Sequence, residues 1–260
     1  MLKVVYLDMN IRFSVKYKTQ QEAILNVIDE FHSKGEKVGN GDRNTIKNFE
    51  VNGKTITVKL FKIPNLINKV VYKYFRKSKA ERSFENALYL INNNIGTPEP
   101  IAYLEEKKRF SLAKSYYISE HIDADLTYRE LIFQLDYPER EKIIREFTAF
   151  TFSLHENGIL FKDHSPGNTL IKKNGDHYMF YLVDLNRMEF KELSFEERIV
   201  NFSRLTPRED MVVIMSDAYA KLTSWSYEEI YVMMWSKTQK FQKQFFRKKN
   251  LKKKYLFWRK

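Results

Sequence analysis

The stretch LFKDHSPGNTLI, residues 160–171, is apolar at both ends and polar in its middle. Within it, Asp163 and Asn168 stand five positions apart, with Pro166 and Gly167 between them. Pro-Gly predicts a turn, and an Asp or Asn in a turn commonly caps its own backbone. Taken alone, the stretch therefore favours an ordinary turn between two apolar segments.

Two apolar, β-prone segments follow this turn, TLIKKNG at 169–175 and HYMFYLVDL at 177–185. The pattern predicts a pair of strands. Paired as a hairpin, they would bring Asn168 and Asp184 together at one end, with Asp163 in the loop that leads to it. Phosphoryl transfer uses such a set, because a carboxylate orients the attacking hydroxyl and oxygen ligands hold Mg²⁺ against nucleotide phosphates. The three residues together favour a catalytic role for Asp163 and metal binding by Asn168 and Asp184.

A lysine in the first half is the candidate for contacting the phosphates of ATP. The segments TIKNFEV (45–51) and TITVKLF (55–61) alternate and are rich in β-branched residues, and the Asn-Gly between them predicts a hairpin. Lys59 lies inside the second segment, whereas Lys62, three residues later, would point to the opposite face. We favour Lys59 over Lys62. The ordinary explanation is a lysine whose apolar stem lies along an edge strand.

A predicted helix supplies a carboxylate for this lysine. Residues 77–94, KSKAERSFENALYLINNN, carry apolar side chains at helical spacing. Glu85 on this helix is expected to hold Lys59 through an ion pair. Glu81, one turn earlier on the same face, is the alternative.

Three glycines cluster in SKGEKVGNGDRN, residues 33–44. Backbone N–H groups of Gly39 and Gly41 would cover the ATP phosphates if this segment is a phosphate-binding loop. A plain flexible loop is an equally good interpretation of the same pattern.

The order of these features resembles the protein-kinase-like superfamily over roughly residues 35–190: a glycine-rich stretch, a strand lysine, a helix glutamate, Asp-x4-Asn and a strand-end aspartate. SLHENGILFKDHSPGNTLI resembles its catalytic loop, and YLVDLNRM resembles its metal-binding segment. The resemblance implies an α+β, bilobal fold with a β-rich N-lobe containing one long helix and a mainly helical C-lobe. The N-lobe would span 1–120 and the C-lobe 121–236, with a basic tail at 237–260.

Finer features indicate a branch of that superfamily. Ser165 stands where protein kinases usually have a lysine, and DHSPGN is similar to the D-x-x-P-G-N of aminoglycoside and other small-molecule kinases. VDLNRM is similar to the D-x-[DN]-R of lipopolysaccharide kinases, and SKAERSFENALYL with GTPEPIAY is similar to the N-lobe of that family. The resemblance implies a lipopolysaccharide core kinase of the Kdo/WaaP type that uses ATP and Mg²⁺ to phosphorylate a Kdo or heptose hydroxyl. It also makes ISEH (118–121), with Glu120, the hinge whose backbone groups hold adenine.

The sequence departs from the protein-kinase pattern at several positions. Asn186 replaces the glycine of DFG, and Lys162 replaces the arginine before the catalytic aspartate. The glycine loop is not G-x-G-x-x-G, and no APE motif follows Asp184. These differences weaken the interpretation as a protein kinase and are tolerable in the sugar-kinase branch.

Composition bounds the remaining possibilities. The 260 residues include no cysteine, which excludes disulfides and thiol catalysis, and the formal net charge is +12. Residues 237–260 carry eleven Lys or Arg and no Asp or Glu, interleaved with aromatic side chains. This tail predicts binding to the anionic inner-membrane surface, and no specific nucleic acid is expected although the same charges would attract one. No signal peptide or long apolar segment is present, so we expect a cytoplasmic protein, peripheral to the inner membrane.

Two other functions remain open. The first is a kinase of the same fold acting on an aminoglycoside, another small molecule or a protein. The second is an inactive membrane- or nucleic-acid-binding module, which would show no affinity for Mg·ATP.

Overall fold

The computed structural model describes residues 9–39, 44–62, 77–108 and 111–255. The chain forms two compact units. The first comprises Met1–Asp123 and Asp184–Arg187, and the second comprises Ala124–Val183 and Met188–Lys260.

An antiparallel sheet of six strands dominates the described part of the first unit, in the order β1-β5-β6-β4-β3-β2. Its strands are β1 Met9–Phe13, β2 Glu36–Val38, β3 Asn44–Val51, β4 Lys54–Phe61, β5 Pro100–Lys108 and β6 Ser111–Glu120. Asn52 and Gly53 join β3 to β4 with φ values of 50° and 74°. The Asn-Gly pair thus forms the predicted tight hairpin, because both residues accept the left-handed region.

Two helices lie in the described part of the first unit, α1 Gln21–Asp29 and α2 Lys79–Asn92. α2 is the long predicted helix. Ser78 caps its N-terminus, because Ser78 Oγ accepts a hydrogen bond of 3.0 Å from the Glu81 backbone N–H. It buries the side chains of Ala80, Ser83, Phe84, Ala87 and Leu90.

The short helix α1 is not predicted by the sequence analysis. Ile24, Val27 and Ile28 are buried in the same hydrophobic cluster as Val58 and Ile118 of the sheet. Their i, i+3, i+4 spacing is the signal of an amphipathic helix, and it was present in the sequence. The N-terminal segment therefore adds a helix to one face of the sheet.

The second unit is mainly helical. Its helices are α3 Glu130–Phe133, α4 Arg140–Glu156, α5 Phe195–Phe202, α6 Glu209–Ala220 and α7 Tyr227–Tyr255. Its short strands are β7 Leu126–Thr127, β8 Ile159–Phe161, β9 Thr169–Asn174, β10 His177–Leu182 and β11 Met188–Phe190. β9 and β10 form the predicted hairpin, with Thr169 opposite Leu182. The expected α+β fold, with a β-rich first part and a helical second part, is confirmed.

Helix α7 is continuous across position 237, where the sequence analysis begins a separate tail. Its first half packs on the unit through buried Ile230 and Met234. From 243 to 251 every residue is exposed. No helix in the described ranges is long and apolar enough to cross a membrane.

Candidate active site

Asp163 lies in a turn that directly follows β8. Nη1 of Arg204 lies 3.3 Å from Asp163 Oδ1 and donates a hydrogen bond of 2.7 Å to the backbone oxygen of Lys162. The Asp163 side chain is only 17% exposed. The carboxylate is therefore held by a cation that comes from another part of the second unit.

Asn168 ends a 3-10 turn, Pro166–Asn168, which confirms the turn that Pro-Gly predicts. Its Nδ2 donates to the backbone oxygen of Asp163 at 2.8 Å, and its backbone N–H donates to the backbone oxygen of Ser165 at 2.9 Å. Because the amide nitrogen is used inside the loop, Oδ1 is the atom left to bind a cation. Amide and carboxylate oxygens are ligands that Mg²⁺ prefers, so the donor set fits that ion.

Gly167 allows an arginine to lie against this loop. A Cβ at position 167 would come within 2.8 Å of Nη2 of Arg129. A larger residue would displace that guanidinium, which stands at the end of a flexible and exposed side chain and can shift, so close packing alone does not require glycine at position 167.

A buried polar network contacts the backbone just before the loop at residues 162–168. His155 Nδ1 lies 2.9 Å from the Tyr219 hydroxyl, and its Nε2 lies 3.3 Å from Asn201 Oδ1. Asn201 Nδ2 then donates to the backbone oxygen of Phe161 at 2.9 Å. His155 is thereby connected through Asn201 to the backbone at the end of β8.

Two buried histidines make the stability of the protein depend on pH. Burial lowers the pKa of His155 to about 4, and burial together with the nearby His155 lowers the pKa of His164 to about 3. Each ring is neutral when folded, so the unfolded chain binds more protons below the ordinary pKa of 6.5. We expect each histidine to lower the unfolding free energy by up to about 1.4 kcal/mol per pH unit as pH falls from 6.5 towards the folded pKa of that histidine.

Denaturant unfolding over a pH series checks this prediction. Glutamine cannot titrate, so the unfolding free energy of His155→Gln should fall less steeply with decreasing pH than that of the wild type. The difference in slope should equal the contribution of one histidine. His121→Gln changes an exposed histidine and serves as the control. An unchanged slope in His155→Gln would contradict a buried neutral role.

In the first unit, Lys59 and Asp184 form a close ion pair. Lys59 Nζ donates to Asp184 Oδ1 at 2.6 Å, and Asn186 Nδ2 donates to the same oxygen at 2.7 Å. The Lys59 side chain is 14% exposed. Asp184 has a φ of 61°, an uncommon conformation for a residue other than glycine and one often found at functional sites. Asp184 Oδ1 thus accepts hydrogen bonds from both Lys59 and Asn186, whereas Oδ2 accepts none from either of these two residues.

Glu85 does not pair with Lys59, contrary to expectation. Its two oxygens accept hydrogen bonds of 2.6 and 2.7 Å from Lys77 Nζ, and Arg12 lies 4.0 Å away. Lys59 instead binds Asp184, so the carboxylate of α2 is left to cations at the surface. The next residue, Asn86, donates to the backbone oxygen of Leu185 at 2.6 Å. Helix α2 therefore contacts the Asp184 segment through an amide.

The predicted phosphate loop begins at the end of β2. Gly39 follows this strand with a φ of 71°, and a Cβ there would meet nothing within 4 Å. β2 pairs with β3, so Gly39 starts the connection of a hairpin at the edge of the sheet. Gly41 lies outside the described residues. The phosphate-binding role of both glycines stays a prediction.

Glu120 ends β6, and its groups are already engaged. Its backbone N–H donates to the backbone oxygen of Glu99 at 2.9 Å, and the backbone N–H of His121 donates to the backbone oxygen of Thr55 at 3.1 Å. Its carboxylate accepts hydrogen bonds from the Tyr17 hydroxyl and, at 3.4 Å, from Lys16. An adenine bound at this hinge would therefore have to use backbone carbonyl groups or other residues.

The structure adds site residues that the sequence analysis missed: Arg204, Asn86 and Asn201. Asn186, which departs from DFG and matches the D-x-[DN]-R pattern, holds Asp184 together with Lys59. A sequence signal existed for Asn186, which stands inside the DFG-like segment. Arg204 has none, because only folding brings it to Asp163 across 41 positions.

No protein-family model and no curated protein matches the sequence. A solved structure described as "WaaP in complex with acyl carrier protein" is similar to this chain, with a TM-score of 0.60. The match covers 89% of this chain and 98% of that chain. The chain has a WaaP-like kinase fold. At 14% sequence identity this likeness establishes the fold alone, since one fold can host many activities.

Proposed function

We propose that this protein is an ATP- and Mg²⁺-dependent kinase that phosphorylates a sugar hydroxyl, Kdo or heptose, of the lipopolysaccharide inner core. The observation that carries the proposal is the turn from Asp163 to Asn168. The amide of Asn168 is tied to the backbone of Asp163, and the turn offers one carboxylate and one amide oxygen. The Lys59–Asp184 pair supports it independently in the first unit.

Each residue has a defined task in the proposed reaction. Asp163 accepts a hydrogen bond from the acceptor hydroxyl and takes its proton as the oxygen attacks the γ-phosphorus of ATP. The bond from the γ-phosphorus to the bridging oxygen breaks, and ADP leaves. Lys59 balances negative charge on the phosphates, and Asn168 and Asp184 would hold Mg²⁺, which supplies further charge neutralisation when bound.

A sugar acceptor is favoured over a protein by two features. Ser165 replaces the lysine that protein kinases usually carry in this loop, and no APE motif follows Asp184. The similar solved structure is of WaaP, the kinase type that the sequence resemblance also implies. An aminoglycoside-like small molecule or a protein is the alternative acceptor, and an inactive binding module is the alternative from another class.

The decisive experiment is mass analysis of lipopolysaccharide from cells with and without the gene. We expect the core to lose one phosphate when the gene is deleted. In parallel, Mg·ATP should raise the melting temperature of the purified protein. An unchanged core together with transfer to an aminoglycoside or a protein would reassign the acceptor, whereas no response to Mg·ATP would favour the inactive module.

The exposed half of α7 is proposed to bind the anionic surface of the inner membrane, which would place the protein at its cytoplasmic face. Phe245, Phe246 and Leu251 are about half exposed in this segment. The exposed basic residues Lys243, Arg247, Lys248 and Lys249 stand before and between them in the same segment. Aromatic side chains beside lysines and arginines suit the interface of an anionic bilayer.

Replacing those four basic residues by glutamine should weaken binding to phosphatidylglycerol vesicles. Each basic residue near such a surface contributes about 1 kcal/mol. Cosedimentation at low and high salt measures the effect, with phosphatidylcholine vesicles as the neutral surface. A control variant removes equal charge from the first unit at Lys18, Lys34, Lys37 and Lys62. If both variants lost vesicle binding equally, the binding would depend on net charge and not on α7. If the protein bound an acidic protein but not the vesicles, α7 would be assigned to a protein partner.

A further inference from the structure

The catalytic-loop aspartate receives its cation from outside its own loop. The only lysine of residues 162–168 is Lys162, and its ammonium pairs with Glu189. Arg204, in the turn after α5, instead lies 3.3 Å from the Asp163 carboxylate. All four residues belong to the second unit, so this geometry is a property of that unit alone.

We infer that Arg204 is a positioning residue for Asp163, an inference that rests on the proposed kinase function. Nη1 of Arg204 contacts two successive residues, the backbone oxygen of Lys162 and Oδ1 of Asp163. It therefore fixes the peptide that carries the aspartate as well as one oxygen of the carboxylate. In the proposed reaction, the carboxylate held in this way accepts the hydrogen bond of the acceptor hydroxyl.

The guanidinium is itself held on a second side. Its central carbon lies 5.6 Å from the ring centre of Phe241 on α7, within the range of a cation–π contact. The residues around Arg204 are buried, since Ser203, Leu205 and Thr206 are at most 6% exposed. The turn that carries Arg204 is therefore packed against the unit, although the Arg204 side chain itself is 38% exposed.

Geometry separates this contact from an ordinary surface ion pair. An exposed ion pair contributes little, because solvent screens it and both side chains lose freedom. Here the same nitrogen also binds a backbone oxygen, and the partner carboxylate is mostly buried. Lysine could keep the charge at position 204 but would lack the planar guanidinium that lies over the ring of Phe241.

The test compares Arg204→Ala and Arg204→Lys with Arg208→Ala. Arg208 pairs with Asp210 and has a similar exposure of 34%, so it controls for the loss of an arginine. In Arg204→Ala we expect kcat to fall on the order of 100-fold, as for a displaced catalytic group, with KM for ATP little changed. Arg204→Lys should recover part of the rate. Added guanidinium should restore part of the rate of Arg204→Ala and leave an Asp163→Asn variant unchanged.

Hydrogen exchange of residues 162–168 gives a readout that does not need activity. Exchange should accelerate in Arg204→Ala and stay at the wild-type level in Arg208→Ala. If Arg204→Ala kept the wild-type kcat and the wild-type exchange rate, the inference would be wrong and the kinase function would stand. If the wild-type protein transferred phosphate to no acceptor, but exchange was still faster in Arg204→Ala, the kinase function would be wrong and the contact of Arg204 with the loop would stand. A loss of rate matched by Arg208→Ala, without rescue by guanidinium, would assign Arg204 a purely structural role.

Discussion

Asp163→Asn is expected to lower kcat for ATP-dependent phosphoryl transfer by about 10³-fold, within the range that a general base contributes. The amide keeps the shape of the carboxylate but cannot take the proton of the acceptor hydroxyl. Affinity for Mg·ATP should change little, since the phosphate contact assigned to Lys59 and the Mg²⁺ contact assigned to Asp184 belong to other segments. The loss should therefore appear in kcat.

The fold should survive this substitution. Asn at position 163 can still accept a hydrogen bond from Arg204 through its amide oxygen. The bond from Arg204 to the backbone oxygen of Lys162 and the bond from Asn168 to the backbone of residue 163 do not involve the carboxylate. Thermal unfolding of the variant should match the wild type to within the small change expected of one partly buried ion pair.

Steady-state transfer with radiolabelled ATP measures this prediction. Asp176→Asn is the matched control, because Asp176 is an exposed residue in the turn between β9 and β10. It should transfer phosphate at the wild-type rate. If Asp163→Asn retained that rate as well, Asp163 would be a turn residue, the ordinary explanation that the stretch 160–171 first suggests.

Local sequence determines much of the fold, and those parts were predictable. Asn52-Gly53 specifies a tight hairpin, because both residues accept a positive φ. Pro166-Gly167 specifies the turn between Asp163 and Asn168. In both cases the signal lies within four to six neighbouring residues, where backbone preference decides the structure.

Partners that depend on tertiary packing were not predictable. Glu85 was expected beside Lys59, yet helical spacing says only which face of α2 a residue occupies and nothing about which cation its carboxylate meets. Lys77 and Arg12 are the closer cations. The contact of Arg204 with Asp163 joins residues 41 positions apart and leaves no pattern in the sequence. The choice of ion-pair partner is a property of the folded chain.

Lys59→Met is expected to reduce kcat/KM by about 10² to 10³-fold, the loss measured when one donor to a developing negative charge is removed. Methionine keeps the length of the aliphatic stem and removes the ammonium. Stability should change little, because Asp184 keeps the hydrogen bond from Asn186 and is partly exposed to solvent. Unlike Asp163→Asn, this variant should also lose most of the stabilisation that Mg·ATP gives to the wild type.

Lys62→Met is the matched control, because it makes the same change three residues later, just after β4 ends at Phe61. It should bind Mg·ATP and transfer phosphate like the wild type. Asp184→Asn tests the other half of the pair: the amide can still accept from Lys59 but offers Mg²⁺ no carboxylate, so activity should require far more Mg²⁺. If Lys62→Met lost activity while Lys59→Met retained it, the phosphate contact would belong to Lys62 and the pair of Lys59 with Asp184 would be structural. If neither variant lost activity or the response to Mg·ATP, no lysine of this strand would contact the nucleotide.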